Sequence, residues 1–414
     1  MAALSLSIDL QRLLGRLQSL AGIGALQGGG CCRLALSPQD GQGRDRVRGW
    51  MRDLGLEISI DGIGNVTGIR PGKEDGLPVM IGSHIDTVRT GGIYDGCLGV
   101  LAGLEIIETL NDAGIQTRRP LAVAFFTNEE GARMAPDMMG SAVHQGFLAL
   151  EDALAVVGVD GIRVGDELEK IGYRGAAPTG SRRAHCYLEL HIEQGPLLDA
   201  EGVTIGAVEG VQGISWTEFV ISGVSNHAGT TPMRMRHDAA VVAARIAVEA
   251  RTMAQEMGGN QVATCGVIDL QPNLVNVVPN RALMTVDLRN TDEALLQAAE
   301  VRLFAFADQA AAEEGVAMQR RSLARFEPVA FAPDMVDLVE RVAQRQGLST
   351  RRMPSGAGHD AQMFAPNCPT AMIFVPSRDG ISHNIEEYTA PEHILAGANV
   401  LFHAVMEKAE GIGE

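Results

Sequence analysis

The chain has 414 residues, more than a single hydrophobic core usually organises, so we expect two domains. Hydrophobic residues make up 46% and charged residues 21%, an ordinary globular composition. The net charge of −17 argues against nucleic acid as a partner, and no apolar run is long enough to cross a membrane. The N-terminus lacks a basic signal-peptide region, and six scattered cysteines form no CxxC pair. We therefore expect a cytoplasmic protein.

The first part of the chain reads as helices and short strands. Leucines recurring on one side predict a helix over residues 5–26, and Ser37-Pro38 predicts the start of a second helix that closes near Gly55. A third helix is predicted just after Asp95. Apolar or alternating runs predict strands over 57–60, 65–70, 77–81 and 120–126.

The middle of the chain predicts an inserted domain. After a Gly-rich stretch of helix and loops over 151–180 and a strand over 184–192, the elements follow a β-α-β-β-α-β order, typical of a ferredoxin-like domain. Its predicted strands are 214–222, 261–270, 281–289 and 317–326, and its helices are 239–257 and 292–314. A helix over 331–346 and a strand near 372–375 then resume the first domain. We therefore predict an α/β fold with a discontinuous domain, 1–212 plus 328–414, and an α+β insert, 213–327.

Polar residues after the apolar run over 77–81 have the spacing of a metal site. His84 and Asp86 lie two residues apart, so on an extended segment they project to the same face. Asp95 follows a Gly-rich turn. A histidine nitrogen and carboxylates suit divalent metals, and Asp86 can accept the second N–H of His84 and fix its tautomer. The competing interpretation is a strand, turn and helix with ordinary surface polar residues.

Two adjacent carboxylates, Glu129 and Glu130, follow the apolar run over 120–126. Strand ends are where open α/β sheets place their sites. Because adjacent carboxylates repel each other, a nearby cation is needed to keep both ionised. The alternative is a solvated pair of loop charges.

Two histidines complete a set of candidate metal ligands. His191 lies at the end of the strand over 184–192, where a structural histidine is the more common case, and His383 lies on a loop after the last strand. The full set of candidates is His84, Asp95, Glu130, His191 and His383. Nitrogen and oxygen ligands in this number suit a dinuclear site. Glu129 then remains as a general base that takes a proton from water and passes it to a leaving nitrogen.

Motifs along the whole chain resemble one known family. They are GSHIDTVRTGGIYDGCLGVLAG, FTNEEGARM, ELHIEQGPLLD, SNHAGTTPMRMRHDA, VPNRALMTVDLRN, SGAGHDAQMF and SHNIEE. They are similar to the amidase, hydantoinase/carbamoylase family of the M20 metallopeptidase superfamily. That family includes N-carbamoyl-L-amino acid hydrolases, allantoate amidohydrolases and β-ureidopropionases.

The resemblance implies a catalytic domain that binds two divalent ions, interrupted by a lid domain through which two subunits form a homodimer. It implies that His84 is a ligand, that Asp95 bridges the ions and that Glu129 is the base; Asp86, beside His84, is a further catalytic candidate from the residue pattern. The other ligands would be Glu130, His191 and His383. Zinc, manganese, cobalt and nickel all suit such nitrogen and oxygen ligands.

The resemblance also implies residues that contact a small carboxylate substrate. Arg289 would bind the carboxylate, because a guanidinium fork matches that planar anion; without the resemblance, a surface ion pair is the better interpretation. Asn276 and Gln194 resemble polar residues that contact substrate, and Gly358 belongs to a loop that resembles a pocket lining. His227 resembles the lid histidine that supports a developing oxyanion, often in a neighbouring subunit's site.

The implied reaction is hydrolysis of the C–N bond of an N-carbamoyl-L-amino acid, giving the amino acid, ammonia and carbon dioxide. The alternatives are allantoate amidohydrolase, then β-ureidopropionase; more distant ones are an M20 aminoacylase or peptidase and a metal-binding protein without catalysis. Glu129 argues against the last, since a protein that only binds metal needs no base. The residues do not separate the N-carbamoyl and allantoate substrates, because each presents a carboxylate to Arg289.

Overall fold

The computed structural model describes residues 6–180 and 183–412. Its contacts divide the chain into two compact units. Unit 1 comprises Met1–Glu209 and Ala330–Glu414, and unit 2 comprises Gly210–Val329. The insert expected from the sequence was 213–327. Residue 5, where the first helix was predicted to start, lies outside the described residues.

Helices and strands follow one another along the described chain. The α-helices are α1 (Leu10–Ala21), α2 (Pro38–Asp53), α3 (Cys97–Asp112), α4 (Met139–Gln145), α5 (Leu150–Ala155), α6 (Val164–Lys170), α7 (Leu197–Glu201), α8 (Ala239–Met257), α9 (Glu293–Glu314), α10 (Pro333–Arg345), α11 (Asp360–Phe364) and α12 (Pro391–Glu410). The strands are β1 (Glu57–Ile60), β2 (Val66–Arg70), β3 (Val79–His84), β4 (Leu121–Phe126), β5 (Cys186–Ile192), β6 (Ile205–Val211), β7 (Gly213–Ser222), β8 (Val262–Gln271), β9 (Arg281–Asn290), β10 (Ala317–Phe326), β11 (Val329–Ala330), β12 (Thr350–Ser355) and β13 (Thr370–Val375).

Unit 1 is built on one mixed sheet. Its strand order is β1-β2-β4-β3-β5-β13-β6-β11, with β12 paired to β6. The four central strands, β4, β3, β5 and β13, run parallel to one another, while β1, β2 and β6 pair antiparallel to their neighbours. Every residue of those four central strands is buried. This explains why β4 and β13 appear in the sequence as continuous apolar runs, as parallel strands covered on both faces do. Strand β5 instead carries the polar residues Glu189 and His191 at buried positions.

Helices α3, α10 and α12 pack against the strands of this sheet. Helix α3 is buried on nearly all sides, because α1 packs against it as well. The predicted start of α2 is confirmed: the side chain of Ser37 accepts a hydrogen bond from the backbone N–H of Asp40, and Pro38 occupies the first turn.

Unit 2 is a four-stranded antiparallel sheet with the order β10-β7-β9-β8. Its elements follow the chain as β7, α8, β8, β9, α9 and β10, the ferredoxin-like order expected from the sequence. Strand β9 alternates between partly buried and buried residues along its whole length. Its buried positions, such as Met284 and Val286, form a core with Ile246 of α8 and Leu303 of α9. The predicted fold class is confirmed.

Several boundaries differ from the predicted ones. Helix α1 starts at Leu10, where Asp9 caps it, so residues 6–9, which were predicted to be helical, lie before the helix. The strand predicted over 77–81 extends to His84, so this histidine belongs to β3 itself. Strands β6 and β12 were not predicted. No helix in the described part of the chain is long and apolar enough to span a membrane, and no disulfide joins the cysteines described there.

Candidate functional site

Candidate residues from four neighbouring strands meet at one edge of the unit 1 sheet. Strand β3 ends at His84, and β5 carries His191 one residue before its end. Strand β4 leads directly into Glu129 and Glu130, and β13 leads into the loop that carries His383. Because parallel strands place their carboxyl ends at the same edge, residues far apart in sequence become neighbours.

Asp95 lies at the centre of the first cluster. Its Oδ1 atom is 3.5 Å from Nε2 of His84 and 3.2 Å from Nε2 of His191. All three side chains are buried. The three ligand atoms lie within 4.8 Å of one another, close enough for a single ion to contact all of them.

The second cluster uses the other oxygen of the same carboxylate. Asp95 Oδ2 lies 3.3 Å from Nε2 of His383, and that nitrogen lies 3.3 Å from Oε2 of Glu130. These three atoms also lie within 4.8 Å of one another. Asp95 is therefore shared, with one oxygen turned to each cluster, as a carboxylate between two ions would be.

The distances fit metal ligands better than ion pairs. Two ligands on a tetrahedral zinc ion, each about 2.0–2.1 Å from it, lie roughly 3.3–3.4 Å apart. The contacts of Asp95 with the histidines span 3.2–3.5 Å, whereas a charge-assisted N–H···O bond is typically about 2.7–2.9 Å. In addition, Glu130 Oε1 is buried without a hydrogen-bond partner among the described residues. The residues present therefore fit divalent ions.

The pKa values of the site residues also favour a bound cation. Burial by itself would raise the pKa of Asp95, but hydrogen bonds from His191, His383 and His84 hold that pKa well below its usual range. The hydrogen bond to Asp95, above all, raises the pKa of His383 to about 9. The carboxylate of Asp95 thus favours positive charge on the surrounding histidines, and a divalent cation would supply positive charge at the same place.

The two glutamates are presented by a tight turn. Asn128 has left-handed backbone, with φ of 57°, and its side chain donates to the carbonyls of Met134 and Pro136 at 2.6 and 3.0 Å. A short polar side chain that bonds locally is what stabilises this conformation in a residue other than glycine. After this turn, the side chain of Glu130 lies next to His383, whereas the side chain of Glu129 lies next to His84.

Glu129 is buried beside the clusters, with Oε2 lying 3.4 Å from Nε2 of His84. Burial raises the pKa of its carboxyl group well above the usual range, an effect that the nearby His84 partly offsets. The side chain lines a cavity of about 110 Å³ shared with Asp95, Glu130, Asp137, His191, Gln194, Ala357, Gly358, His359 and His383. A raised pKa and access to a cavity suit a general base.

Main-chain carbonyls orient the two buried histidines. Nδ1 of His84 lies 2.9 Å from the backbone oxygen of Asp86, and Nδ1 of His191 lies 2.9 Å from the backbone oxygen of Ile192. A neutral imidazole that donates from Nδ1 turns an unprotonated Nε2 towards a metal. Both ring orientations therefore suit metal binding.

The predicted role of Asp86 as the acceptor for His84 is wrong, because its carboxylate is 4.0 Å from Nδ1 and the backbone oxygen takes that place. The two oxygens of Asp86 instead each lie 3.3 Å from a backbone nitrogen, Oδ1 from that of Glu129 and Oδ2 from that of Glu130. Asp86 thus holds the turn that presents the glutamate pair.

Two of the residues expected to contact substrate lie at this cavity. Gln194 has left-handed backbone, and its Nε2 donates to Asp95 Oδ2 at 2.9 Å. Gly358 lines the same cavity, next to His359. The ring of His359 packs edge-on against that of His191, with the ring centroids 4.5 Å apart. The structure therefore brings both residues to the candidate metal ligands.

Three other expected residues belong to unit 2. His227 and Asn276 are exposed and lie on neighbouring backbone segments, with the N–H of Ala228 donating to the carbonyl of Asn276 at 3.0 Å. Arg289 projects from β9, and its Nε and Nη2 donate to Oδ2 of Asp287 at 3.0 and 2.8 Å. In this conformation the guanidinium is held by a carboxylate two residues before it.

Sequence reasoning missed two residues that support the site. Asn65 holds the start of the glutamate turn, because its Oδ1 accepts the backbone N–H of Thr127 at 3.0 Å. Glu387 is a buried carboxylate beside the Asp95 loop. It lies inside the SHNIEE motif, four positions after His383, and this acidic residue close to a candidate ligand could have been singled out from the sequence.

Residues 80–407 match the sequence profile of peptidase family M20/M25/M40. An N-carbamoyl-L-amino-acid amidohydrolase of Rhizobium meliloti is 43% identical over 404 residues, covering 97% of each chain. An allantoate amidohydrolase of Escherichia coli strain K12 is 36% identical, covering 92% of this chain and 94% of the relative.

Among solved structures, an amidase of the hydantoinase/carbamoylase family from Burkholderia multivorans superposes with a TM-score of 0.95. It is 44% identical, and the match covers 98% of this chain and 99% of the other. The profile match spans residues 80–407, and the sequence and structure matches extend along nearly the whole chain. The chain therefore belongs to the peptidase M20 family, within its hydantoinase/carbamoylase group of amidohydrolases.

Proposed function

We propose that the protein hydrolyses a linear amide C–N bond of the ureido type in a small carboxylate, with an N-carbamoyl-L-amino acid as the preferred substrate. The products are the amino acid, ammonia and carbon dioxide. The observation that carries the proposal is the position of Glu129, a buried carboxylate at a cavity beside two clusters that share Asp95. The relative from Rhizobium meliloti, named for this reaction, supports the substrate.

We assign two divalent ions to the two clusters. His84, Asp95 and His191 would hold one, and Asp95 with Glu130 and His383 would hold the other. Zinc, manganese, cobalt and nickel all match these nitrogen and oxygen ligands. When bound, such ions supply a Lewis acid that polarises a carbonyl oxygen and makes water more acidic.

The chain's own residues handle the proton. Glu129 accepts a proton from the attacking water and donates it to the nitrogen that leaves, so that the amine departs neutral. Its burial keeps the carboxylate away from bulk solvent and favours the protonated form that the second step needs. Asp86 keeps the backbone of Glu129 in place throughout.

We assign substrate recognition to the residues expected from the sequence. Arg289 binds the substrate carboxylate, Asn276, Gln194 and Gly358 make polar or close backbone contacts with the substrate, and His227 stabilises the oxyanion. We further propose that the enzyme is a cytoplasmic homodimer that pairs through unit 2, which acts as a lid. Charge complementarity supports the first assignment, because a carboxylate substrate needs a cation and Arg289 has the matching fork.

Allantoate is the second candidate substrate. It carries a carboxylate and ureido groups, so it would use the same contacts as an N-carbamoyl-amino acid. The relative from Escherichia coli, named for hydrolysis of this compound, favours keeping it.

An ammonia-release assay on a substrate panel tests the proposal. The panel contains N-carbamoyl-L-amino acids, N-carbamoyl-β-alanine, allantoate, an N-acetyl-amino acid and a dipeptide, each with zinc, manganese, cobalt or nickel; amine release is followed for the last two. The expected result is the highest kcat/KM on an N-carbamoyl-L-amino acid. A preference for the N-acetyl-amino acid or the dipeptide would overturn the proposal, and a preference for allantoate would replace the first substrate with the second.

A further inference from the structure

Glu387 is a buried carboxylate that neither candidate metal cluster includes. It lies in unit 1, on the loop between β13 and α12, four residues after His383. A buried carboxylate is costly unless it is hydrogen-bonded, so its partners indicate what it holds in place.

Its first oxygen holds the backbone that leads to Asp95. Glu387 Oε1 accepts the N–H of Tyr94 at 3.1 Å and the N–H of Asp95 at 3.3 Å. The carboxylate also packs directly on Gly92, where any Cβ would overlap it. The turn before Asp95 is neither helix nor strand, so these contacts fix a segment that lacks its own ladder of hydrogen bonds.

Its second oxygen reaches the other ligand-bearing loop. Glu387 Oε2 accepts the hydroxyl of Ser382 at 3.1 Å, and that hydroxyl oxygen lies 3.4 Å from Asp95 Oδ2. Ser382 immediately precedes His383. A single carboxylate thus connects the loop that carries Asp95 with the loop that carries His383.

We propose that Glu387 is a positioning residue for the metal centre: it fixes the backbone of Asp95 and ties it to the loop of His383. The inference rests on the proposed metal-dependent function. Asp95 is the one residue shared by both clusters, so a small displacement of its backbone would change both sets of distances. Groups that hold metal ligands in place typically change metal affinity about 10–100-fold when they are replaced.

Two conservative variants separate a positioning role from a role of charge. Glu387→Gln keeps the length of the side chain and an oxygen that can accept both N–H groups, but it removes the charge. Glu387→Asp keeps the charge but is one methylene shorter, so it cannot reach the same partners. Glu386→Gln and Glu386→Asp, at the exposed neighbouring glutamate, are matched controls.

The test measures two quantities. Hydrogen exchange at the amides of Tyr94 and Asp95 is followed in metal-free protein, and zinc affinity is measured by competition with a chelator. We expect Glu387→Asp to lose amide protection and to bind zinc about 10–100-fold more weakly. We expect Glu387→Gln and both Glu386 variants to remain near the parent in both measurements.

Parental amide exchange and zinc affinity in Glu387→Asp would overturn the proposal. A greater loss of zinc affinity in Glu387→Gln than in Glu387→Asp would also overturn it, because that result would mean that the charge of Glu387, and not its reach, matters. Failure of the proposed function gives a different result. The parent would then bind no zinc and release no ammonia, whereas the exchange measurement on metal-free protein would still decide whether Glu387 holds the Asp95 turn.

Discussion

At the scale of single residues, two adjacent glutamates have different surroundings. Glu130 faces His383 with an oxygen 3.3 Å from its ring nitrogen, while Glu129 faces His84 and the cavity. The turn at Asn128 is what separates them. Two neighbours of identical chemistry can therefore take different roles, one as a ligand and one as the base.

The first prediction concerns this division. Glu129→Gln should lower kcat about 10²–10⁴-fold and keep the parental metal content, because it removes proton transfer but no ligand. Asp95→Ala should lose metal as well as activity. Both variants are measured by steady-state kinetics and by elemental analysis of the purified protein. Metal loss in the glutamine variant with metal retention in the alanine variant would show that the two roles are interchanged.

Residue types were predicted from the sequence more reliably than their contacts. His84, Asp95, Glu130, His191 and His383 were chosen because nitrogen and oxygen ligands occurred at strand ends and in family motifs, and the structure brings them together. Their assignment as ligands stays a prediction. The predicted hydrogen-bond partner of Asp86 was wrong, and Glu387 was not predicted at all. Both errors have the same cause: these carboxylates accept backbone N–H groups, and a pattern of side chains does not reveal such contacts.

At the scale of elements, continuous apolar runs predicted β4 and the start of β3, because both faces of these strands are buried, whereas β5 was predicted from its alternating sequence. Strand β12 escaped prediction because its sequence, TRRMPS, is polar and partly exposed. Strand β6, IGAVEGV, was not predicted because it contains two glycines, and glycine is depleted in strands. Such strands form because a neighbouring strand is present to pair with them, as β13 pairs with β6, and local sequence does not contain that information.

The second prediction concerns the start of α3. Gly96 has φ of 64°, and a Cβ there would overlap the ring of His84. Gly96→Ala should therefore displace His84, lower metal content, and destabilise the fold by more than about 1–2 kcal/mol, because φ of 64° with ψ of −48° lies outside the left-handed helical region and is even less accessible to an L-residue. Chemical denaturation and elemental analysis measure both effects.

Gly114→Ala is the control for a positive φ without a steric overlap. Gly114 follows the other end of the same helix with φ of 63°, and a Cβ there would meet nothing within 4 Å. The control should show the backbone cost alone, with metal content and activity unchanged. Equal loss of stability in both variants, with parental metal content, would show that Gly96 does not serve the position of His84.

At the scale of the whole molecule, a ferredoxin-like unit interrupts a domain whose strands come from both sides of the insertion. Strand β13, after the insert, pairs with β5 and β6 before it, so unit 1 is completed only when the last part of the chain has been made. The β-α-β-β-α-β pattern predicted an insert over 213–327, and the contacts group Gly210–Val329 as unit 2. Its use as a lid and as a dimer contact stays a prediction.

The third prediction concerns the proposed homodimer. If His227 of one subunit serves the site of the other, mixing inactive His227→Ala with inactive Glu129→Gln should restore activity. Random exchange gives half the molecules as mixed dimers with one intact site each, or about a quarter of parental activity. Mass spectrometry of the mixture checks that exchange occurred. An inactive mixture after confirmed exchange would rule out a site shared between subunits.

In the proposed function, hydrolysis depends on divalent ions held by the clusters around Asp95. The most direct measurement is ammonia release from an N-carbamoyl-L-amino acid by protein that has been stripped of metal and then titrated with manganese, cobalt or zinc. We predict no turnover in the stripped protein and recovery as metal is added, with Asp95→Ala failing to recover. Full turnover in protein verified to be free of metal would contradict it.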